Sequence, residues 1–218
     1  MRQLLGLVLM AFCLLAFQCH RAMAACTAIL QPTAAYTMGT EICTIGTVGG
    51  TSTECKDSDN NVEAKFSNGL SVRQVPNGWS TWSAPPESET DTPMIGFNTT
   101  ATLTITMAAG YLAGTAGMEI ENNVFTPAMP ITVQFFDLAG AVVSTQTRSV
   151  LGQSGARLFA VTCDEELINK IVITAQATAQ GFAIAKVRAD SFVINRNPSA
   201  GPSSGSYSIP EGAKSNAQ

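Results

Sequence analysis

The stretch from Thr100 to Met107 alternates strictly between polar and apolar side chains. Its even positions are all threonine, and its odd positions are Ala101, Leu103, Ile105 and Met107. Successive side chains of a β-strand point to opposite faces of a sheet, whereas a helix repeats its apolar positions every three or four residues. The pattern therefore predicts a strand with one face in a protein core and the other in water.

Strand-like segments recur about every ten residues between positions 62 and 194. Turn signals such as Asn68-Gly69, Asn77-Gly78 and Ala139-Gly140 separate them. No segment sustains a helical apolar stripe, and Ala108–Ala116 is expected to form a short turn or loop. We therefore predict an all-β fold, an antiparallel β-sandwich of jelly-roll type. The other predicted strands are Val62–Phe66, Leu70–Val75, Met94–Asn98, Met118–Asn122, Ile131–Leu138, Val142–Val150, Arg157–Thr162, Lys170–Ala175 and Phe182–Val193.

The first 24 residues have the three regions of an export signal. Arg2 precedes the apolar run from Leu4 to Phe17, and small residues end the segment. Cleavage is expected between Ala24 and Ala25. Because a membrane span needs about 20 apolar residues, the run is too short to cross a bilayer. We therefore expect a secreted, extracellular protein without a membrane span in its mature form.

Two alternatives to free secretion are a retained membrane anchor and acylation of Cys19 or Cys26, as in bacterial lipoproteins. At the other end, positions 195–218 are rich in Pro, Ser, Gly, Asn and Ala, which predicts a disordered tail. The predicted organisation is a signal peptide at 1–24, a disulfide-stapled segment at 25–61, the sandwich at 62–194 and the tail at 195–218.

Four cysteines would remain after cleavage, namely Cys26, Cys43, Cys55 and Cys163. An even number in an exported protein favours two disulfides, for which three connectivities are possible. Cys43 and Cys55 enclose a short segment rich in Gly, Thr and Ser, which a disulfide would staple. Cys26 would then pair with Cys163. The spacing fits no zinc signature.

Charged residues make up 13% of the chain, against about 25% in typical soluble domains. The formal net charge is −4, and lysine and arginine form no cluster. This balance argues against nucleic acid and anionic membranes as partners. The expected partner is an extracellular polysaccharide or a cell-surface component.

The only histidine, His20, lies in the predicted signal. The mature chain would therefore have no Ser-His-Asp or Cys-His arrangement and no histidine metal ligand. Phosphate-binding loops and dinucleotide fingerprints are also missing from the sequence. An enzyme built from this chain would have to use carboxylates, as glycosidases do.

Glu119 and Glu121 are the most noticeable carboxylate pair, because they are two residues apart on a predicted strand and hence on one face. The favoured interpretation is a solvent-facing pair. A calcium site is the next alternative, and a catalytic pair is the third. Asn122 and Asn123 follow and suggest a polar setting, so we assign no catalytic residue and consider calcium the one possible cofactor.

Trp79 and Trp82 are three residues apart. In a strand their rings would face opposite sides, one toward the core and one outward. An outward ring could stack on a sugar, so both are candidate ligand-binding residues. Packing in the core, or a local lid, is the favoured interpretation of this pair.

The segment from Leu70 to Ser191 also contains an ordered set of short motifs. These are the W-x-x-W with nearby prolines, Gly117–Glu121, Gly155–Phe159 and Gly181–Ala185. The set resembles the extracellular β-sandwich domain of bacterial exported proteins of the PEP-CTERM-sorted type. The resemblance implies a jelly-roll-like module at the cell surface or in a polysaccharide matrix. Because no Pro-Glu-Pro sorting motif is found in the tail, free secretion is expected.

We therefore predict a secreted, non-catalytic β-sandwich that binds an extracellular glycan, a matrix polymer or a cell-surface partner. One alternative is a carboxylate-dependent enzyme that degrades polysaccharide. The other is a purely structural matrix protein.

Overall fold

The computed structural model of the chain describes residues 26–164 and 168–193, without the side chains of 191–193. The predicted cleavage between Ala24 and Ala25 and the predicted tail at 195–218 lie outside the described residues. The described elements are β1 (Cys26–Ile29), α1 (Ala34–Gly39), β2 (Glu41–Ile42), β3 (Thr51–Lys56), β4 (Val62–Gln74), β5 (Met94–Asn98), β6 (Thr102–Met107), β7 (Tyr111–Asn122), β8 (Met129–Phe136), β9 (Val142–Val150), β10 (Arg157–Cys163), β11 (Lys170–Ala175), a 3₁₀ turn (Ala177–Ala179) and β12 (Phe182–Val193).

The strands form an antiparallel sheet that rolls around the main core. Their order is β1-β10-β7-β12-β5-β4-β6-β11-β8-β9, with β2 beside β12 and β3 beside β4. The strands at the two ends of this order, β1 and β9, contact each other, so the sheet is nearly closed. The predicted all-β, antiparallel sandwich of jelly-roll type is confirmed.

The main core contains the inward-facing row of each long strand. In β6, Leu103 and Ile105 are buried while Thr102 and Thr106 are exposed, as the alternation predicts. Burial of a large apolar side chain contributes about 1.5 to 3 kcal/mol, so this row and its neighbours dominate the stability. The largest fully buried side chains of this core are those of Phe135, Phe159, Phe182, Leu70, Leu103, Ile105, Met118, Ile120 and Ile131.

β4 is one continuous strand where the sequence predicts two, so the turn predicted at Asn68-Gly69 is wrong. Residues 64–66 pair with β6, whereas residues 71–74 pair with β5. The strand changes partners between these two stretches, and the Asn68 side-chain amide there donates to the Thr102 carbonyl at 2.9 Å. The Asn-Gly pair thus marks a change of partner strand and not a reversal of the chain.

The sequence patterns also miss several short elements. β1 pairs with β10 and β3 pairs with β4, so the N-terminal segment belongs to the same sheet. α1 begins after Thr33, whose hydroxyl oxygen accepts a hydrogen bond from the Tyr36 amide at 3.3 Å. β7 begins at Tyr111, inside the stretch expected to be a loop, because Gly110 with φ of +91° forms the turn before it.

The cysteines form two disulfides, Cys26–Cys163 and Cys43–Cys55, in the pairing that the sequence favours. The first ties β1 to its neighbour β10, and the second joins the segment before β3 to β3 itself. Such bonds are typical of an extracellular or otherwise oxidising compartment. Among the described residues, no helix has the length and apolar character needed to cross a membrane.

Strands β10, β7, β12 and β5 are covered on both faces. Their inward side chains pack into the main core. Their outward side chains lie beneath the segment between β4 and β5 and beneath α1, whose Tyr36 packs against Leu158 and Ala160. This covered outer face carries the candidate functional site.

Candidate functional site

The segment between β4 and β5, residues 75–93, carries both described tryptophans and is called the tryptophan loop below. It has no regular secondary structure, but its backbone runs beside the start of β10. The Ala156 amide donates to the Trp82 carbonyl at 3.2 Å, and the Leu158 amide donates to the Glu87 carbonyl at 2.8 Å. The loop therefore continues the pairing of β10 at the edge that β1 leaves open.

Glu119 and Glu121 lie on β7 with their side chains toward the loop, because Met118 and Ile120, which alternate with them, face the main core. Both glutamates were correctly predicted to share one strand face. The prediction that this face is open to solvent is wrong, since the two side chains are 1% and 0% exposed. The tryptophan loop covers them.

Glu119 binds the loop at two points. Its Oε2 accepts a hydrogen bond from the Trp82 indole N–H at 2.7 Å, and its Oε1 accepts one from the Glu89 backbone N–H at 2.6 Å. The neighbours of Glu119 in the flanking strands are Leu158 and Ala185. The short side chain of Ala185 leaves room for the buried indole above the sheet.

Glu121 makes the equivalent contacts with the other tryptophan. The Trp79 indole N–H donates to its Oε2. Its Oε1 accepts from the Gly155 backbone N–H at 3.1 Å and from the Thr81 hydroxyl at 3.4 Å. The Trp79 ring packs against Phe97, with ring centroids 5.4 Å apart. The loop is therefore attached through two adjacent indole–carboxylate pairs.

Burial raises the pKa of both carboxyl groups to about 7. The hydrogen bonds from the Trp82 and Trp79 indoles counteract part of this rise, because they favour the ionised form. Both glutamates therefore change charge near neutral pH, well above the usual range for carboxyl groups.

Ion pairs attach the middle of the loop to the same sheet face. The Glu87 carboxylate pairs with the guanidinium groups of Arg148, at 3.3 Å, and of Arg157. Partly exposed pairs of this kind contribute little singly, but here one carboxylate joins β9, β10 and the loop. The contact positions the loop more than it stabilises the fold.

Glu89 and Asp91 pair with β12. The Lys186 ammonium lies 2.5 Å from Asp91 and 3.4 Å from Glu89, and Arg188 lies 3.0 Å from Glu89. The pairing between β12 and β7 shifts register between Ala185 and Arg188, and Lys186 has φ of +49°. Such a bulge redirects side chains, and here it brings two nearby cations of one strand to the loop.

The two tryptophans do not face opposite sides, so that prediction is wrong. Trp79 is 8% exposed and Trp82 is 2% exposed, and both rings lie against the outer face of the sheet. The alternation rule does not apply because residues 79–82 form a loop and not a strand. Neither ring is available to stack on a sugar in this arrangement.

All four carboxylate oxygens of Glu119 and Glu121 accept hydrogen bonds from N–H or O–H donors. A calcium ion needs about six to eight oxygen ligands. In the part of the chain that the structure describes, no group of three or more His, Cys, Asp or Glu residues could hold a metal ion. Glu119 and Glu121 therefore hold the tryptophan loop on the sheet through these hydrogen bonds.

An open groove of about 550 Å³ lies between the tryptophan loop and the segment that leads into α1. Apart from Pro32 and Pro86, the lining side chains carry hydrogen-bonding groups. The outer ones on the two walls are those of Gln31, Thr33, Thr37, Glu89, Thr90 and Asp91. The arrangement can offer many hydrogen bonds to a hydrated, hydroxyl-rich ligand.

Sequence reasoning names the two tryptophans and two glutamates of the indole–carboxylate pairs but misses the ion pairs and the groove. Its walls come from positions about 50 residues apart in the chain, and both are short polar stretches that look like ordinary turns. No spacing or motif links them before the fold is known.

No family model and no curated protein matches the chain. Among solved structures, it is similar to the enzymatically active domain of tailspike protein 4 from bacteriophage CBA120, with 16% identity and a TM-score of 0.28. That match covers 57% of this chain and 18% of the tailspike chain. The chain is also similar to CBM29_1, a family 29 carbohydrate-binding module from Piromyces equi, with 9% identity, a TM-score of 0.31 and coverage of 58% of this chain and 89% of the module.

Proposed function

We propose that the protein is a secreted, non-catalytic glycan-binding protein and that the groove beside the tryptophan loop is its binding site. The observation that carries the proposal is the lining of this groove, where seven of the nine residues have a hydroxyl, amide or carboxylate group in the side chain. Sugars present many hydroxyl groups that donate and accept hydrogen bonds. A groove that is open to solvent also admits an internal segment of a polymer.

Both walls of the groove are held in place before any ligand binds. The loop wall is fixed by the Trp82–Glu119 contact and by the ion pairs of Glu89 and Asp91. The opposite wall follows β1, which the Cys26–Cys163 disulfide ties to β10. Preformed walls reduce the entropy lost on binding, so a polar groove can bind with useful affinity.

An extracellular polysaccharide or a cell-surface component is the partner in this proposal. Two disulfides and a low content of charged residues suit an exported protein. Membership in the PEP-CTERM-type group of sandwich domains is part of the same proposal.

The carboxylates of the chain favour binding over catalysis. Glu119 and Glu121 are covered by the tryptophan loop and give a substrate no access. Glu89 and Asp91 line the groove, but cations of β12 contact both of them. A glycosidase needs one carboxyl group that keeps its proton near the scissile bond, and a paired carboxylate is poorly suited to that role.

Affinity electrophoresis on gels that contain β-glucan, xylan or dextran tests the proposal. At least one of these neutral polymers is expected to retard the protein. A double variant, Gln31→Ala with Thr90→Ala, removes one hydrogen-bonding side chain from each wall at exposed positions and should weaken that retardation by about tenfold, equivalent to about 1.4 kcal/mol.

The matched control is Thr102→Ala with Thr174→Ala, at exposed, paired positions of β6 and β11 on the sheet face away from the groove, and it should bind like the parent protein. Equal binding by the Gln31→Ala/Thr90→Ala variant would exclude the groove as the site. Release of reducing sugar from any of the polymers would favour the enzyme alternative, and failure of all three to bind would favour a structural protein.

A further inference from the structure

We propose that the groove selects neutral glycans with free hydroxyl groups over acidic glycans, an inference that rests on the proposed glycan-binding function. Glu89 and Asp91 line the groove, and the lining contains no lysine or arginine among the described residues. Any ligand in the groove therefore meets carboxylates and no compensating cation at the contact surface.

The cations that pair with these carboxylates lie behind them. The side chains of Lys186 and Arg188 are 14% and 8% exposed, and neither lines the groove. Lys186 is also engaged with both carboxylates at once, at 2.5 Å from Asp91 and 3.4 Å from Glu89. The acidic group of a sugar would therefore approach the carboxylates of Glu89 and Asp91 first. The cations behind them are already paired with these carboxylates.

The same ion pairs determine which hydrogen bonds the carboxylates of Glu89 and Asp91 can make with a sugar. An ionised carboxylate has about four acceptor sites and no donor. On Glu89, Arg188 lies 3.0 Å from Oε1 and Lys186 lies 3.4 Å from Oε2, and on Asp91, Lys186 lies 2.5 Å from Oδ2. Each carboxylate oxygen has about two acceptor sites, so acceptor capacity remains toward the groove. A matching ligand must donate, which a free sugar hydroxyl does and a carboxylate or sulfate does not.

The nearby cations also argue against a positively charged glycan. Lys186 and Arg188 of β12 already pair with the two carboxylates of the groove from behind. A cationic polymer of amino sugars would therefore gain little binding free energy from these carboxylates, because each of them already has a cationic partner in the protein. The neutral polyol is the class that fits both the hydrogen bonding and the charge.

The test compares polymers that share a backbone and differ only in charge. β-Glucan, xylan and dextran are each run beside their carboxymethylated derivatives, with chitosan as the cationic polymer. A neutral parent polymer is expected to bind about tenfold more tightly than its carboxymethylated form, and the difference should increase at low salt, where charges are less screened.

A charge variant makes the comparison specific to the groove. Thr90→Lys adds a cation to the lining and should strengthen binding of the carboxymethylated polymer several-fold, whereas Thr174→Lys on the far sheet face should not. Equal or tighter binding of the acidic or cationic polymers by the parent protein would overturn the proposed selectivity and leave glycan binding standing. Failure of every polymer to bind would overturn both.

Discussion

Replacing Trp82 with alanine is expected to lower the free energy of unfolding by about 4 to 5 kcal/mol. The indole is only 2% exposed, so its removal leaves a cavity against the outer face of the sheet. It also removes the donor that Glu119 Oε2 accepts at 2.7 Å, and an unsatisfied buried polar group costs about 1 to 3 kcal/mol. Urea denaturation followed by circular dichroism measures the change.

Trp82→Phe separates the two contributions. Phenylalanine keeps most of the ring packing but has no N–H, so this variant should lose about 1 to 3 kcal/mol, the cost of the missing hydrogen bond alone. If Trp82→Ala cost less than about 1 kcal/mol, the indole–carboxylate contact would not be what holds the loop.

Raising the pH from about 5 to about 8 is expected to destabilise the protein. Burial raises the pKa of Glu119 and Glu121 from 4.5 to about 7. Between these values the folded state keeps protons that the unfolded state has lost. The free energy of unfolding is therefore highest at the acidic end of this window and falls as the pH rises through about 7, by roughly 3 kcal/mol for each carboxyl group.

Melting temperatures measured across this pH range test the assignment. In Glu119→Gln and Glu121→Gln variants the side chain cannot ionise, so each substitution should flatten part of the slope, and the double variant should flatten most of it. A parent protein whose melting temperature is constant or rises over the window would contradict the assigned burial of these groups.

Much of the sheet could be predicted because half-buried strands repeat with a period of two. β5, β9, β11 and β12 have the predicted boundaries, and β6 differs by two residues at its start. The pattern fails where a strand changes partners, as at Asn68 in β4, because a local signal for a turn does not reveal the neighbouring strands. It also fails for α1, whose six residues are too few to show a helical period.

The site could be predicted in part. The sequence identifies Glu119, Glu121, Trp79 and Trp82, but as separate candidates, with the two glutamates facing solvent and one of the two rings facing outward. The contact between them joins positions about 40 residues apart and depends on a loop that folds back over the outer sheet face. The bulge at Lys186 has no sequence signal either, since a lysine with positive φ is set by its surroundings.

In the proposed function, buried indole–carboxylate pairs hold the tryptophan loop so that its outer part forms a wall of the glycan-binding groove. Titration of the ¹⁵N-labelled protein with oligosaccharides of β-glucan, xylan and dextran tests this claim most directly. The amide signals of Gln31, Thr33, Thr37, Thr90 and Asp91 are predicted to shift on addition of at least one of them. Shifts confined to the opposite sheet face, at Thr102, Thr132, Thr147 and Thr174, or an absence of shifts with all three, would contradict the account.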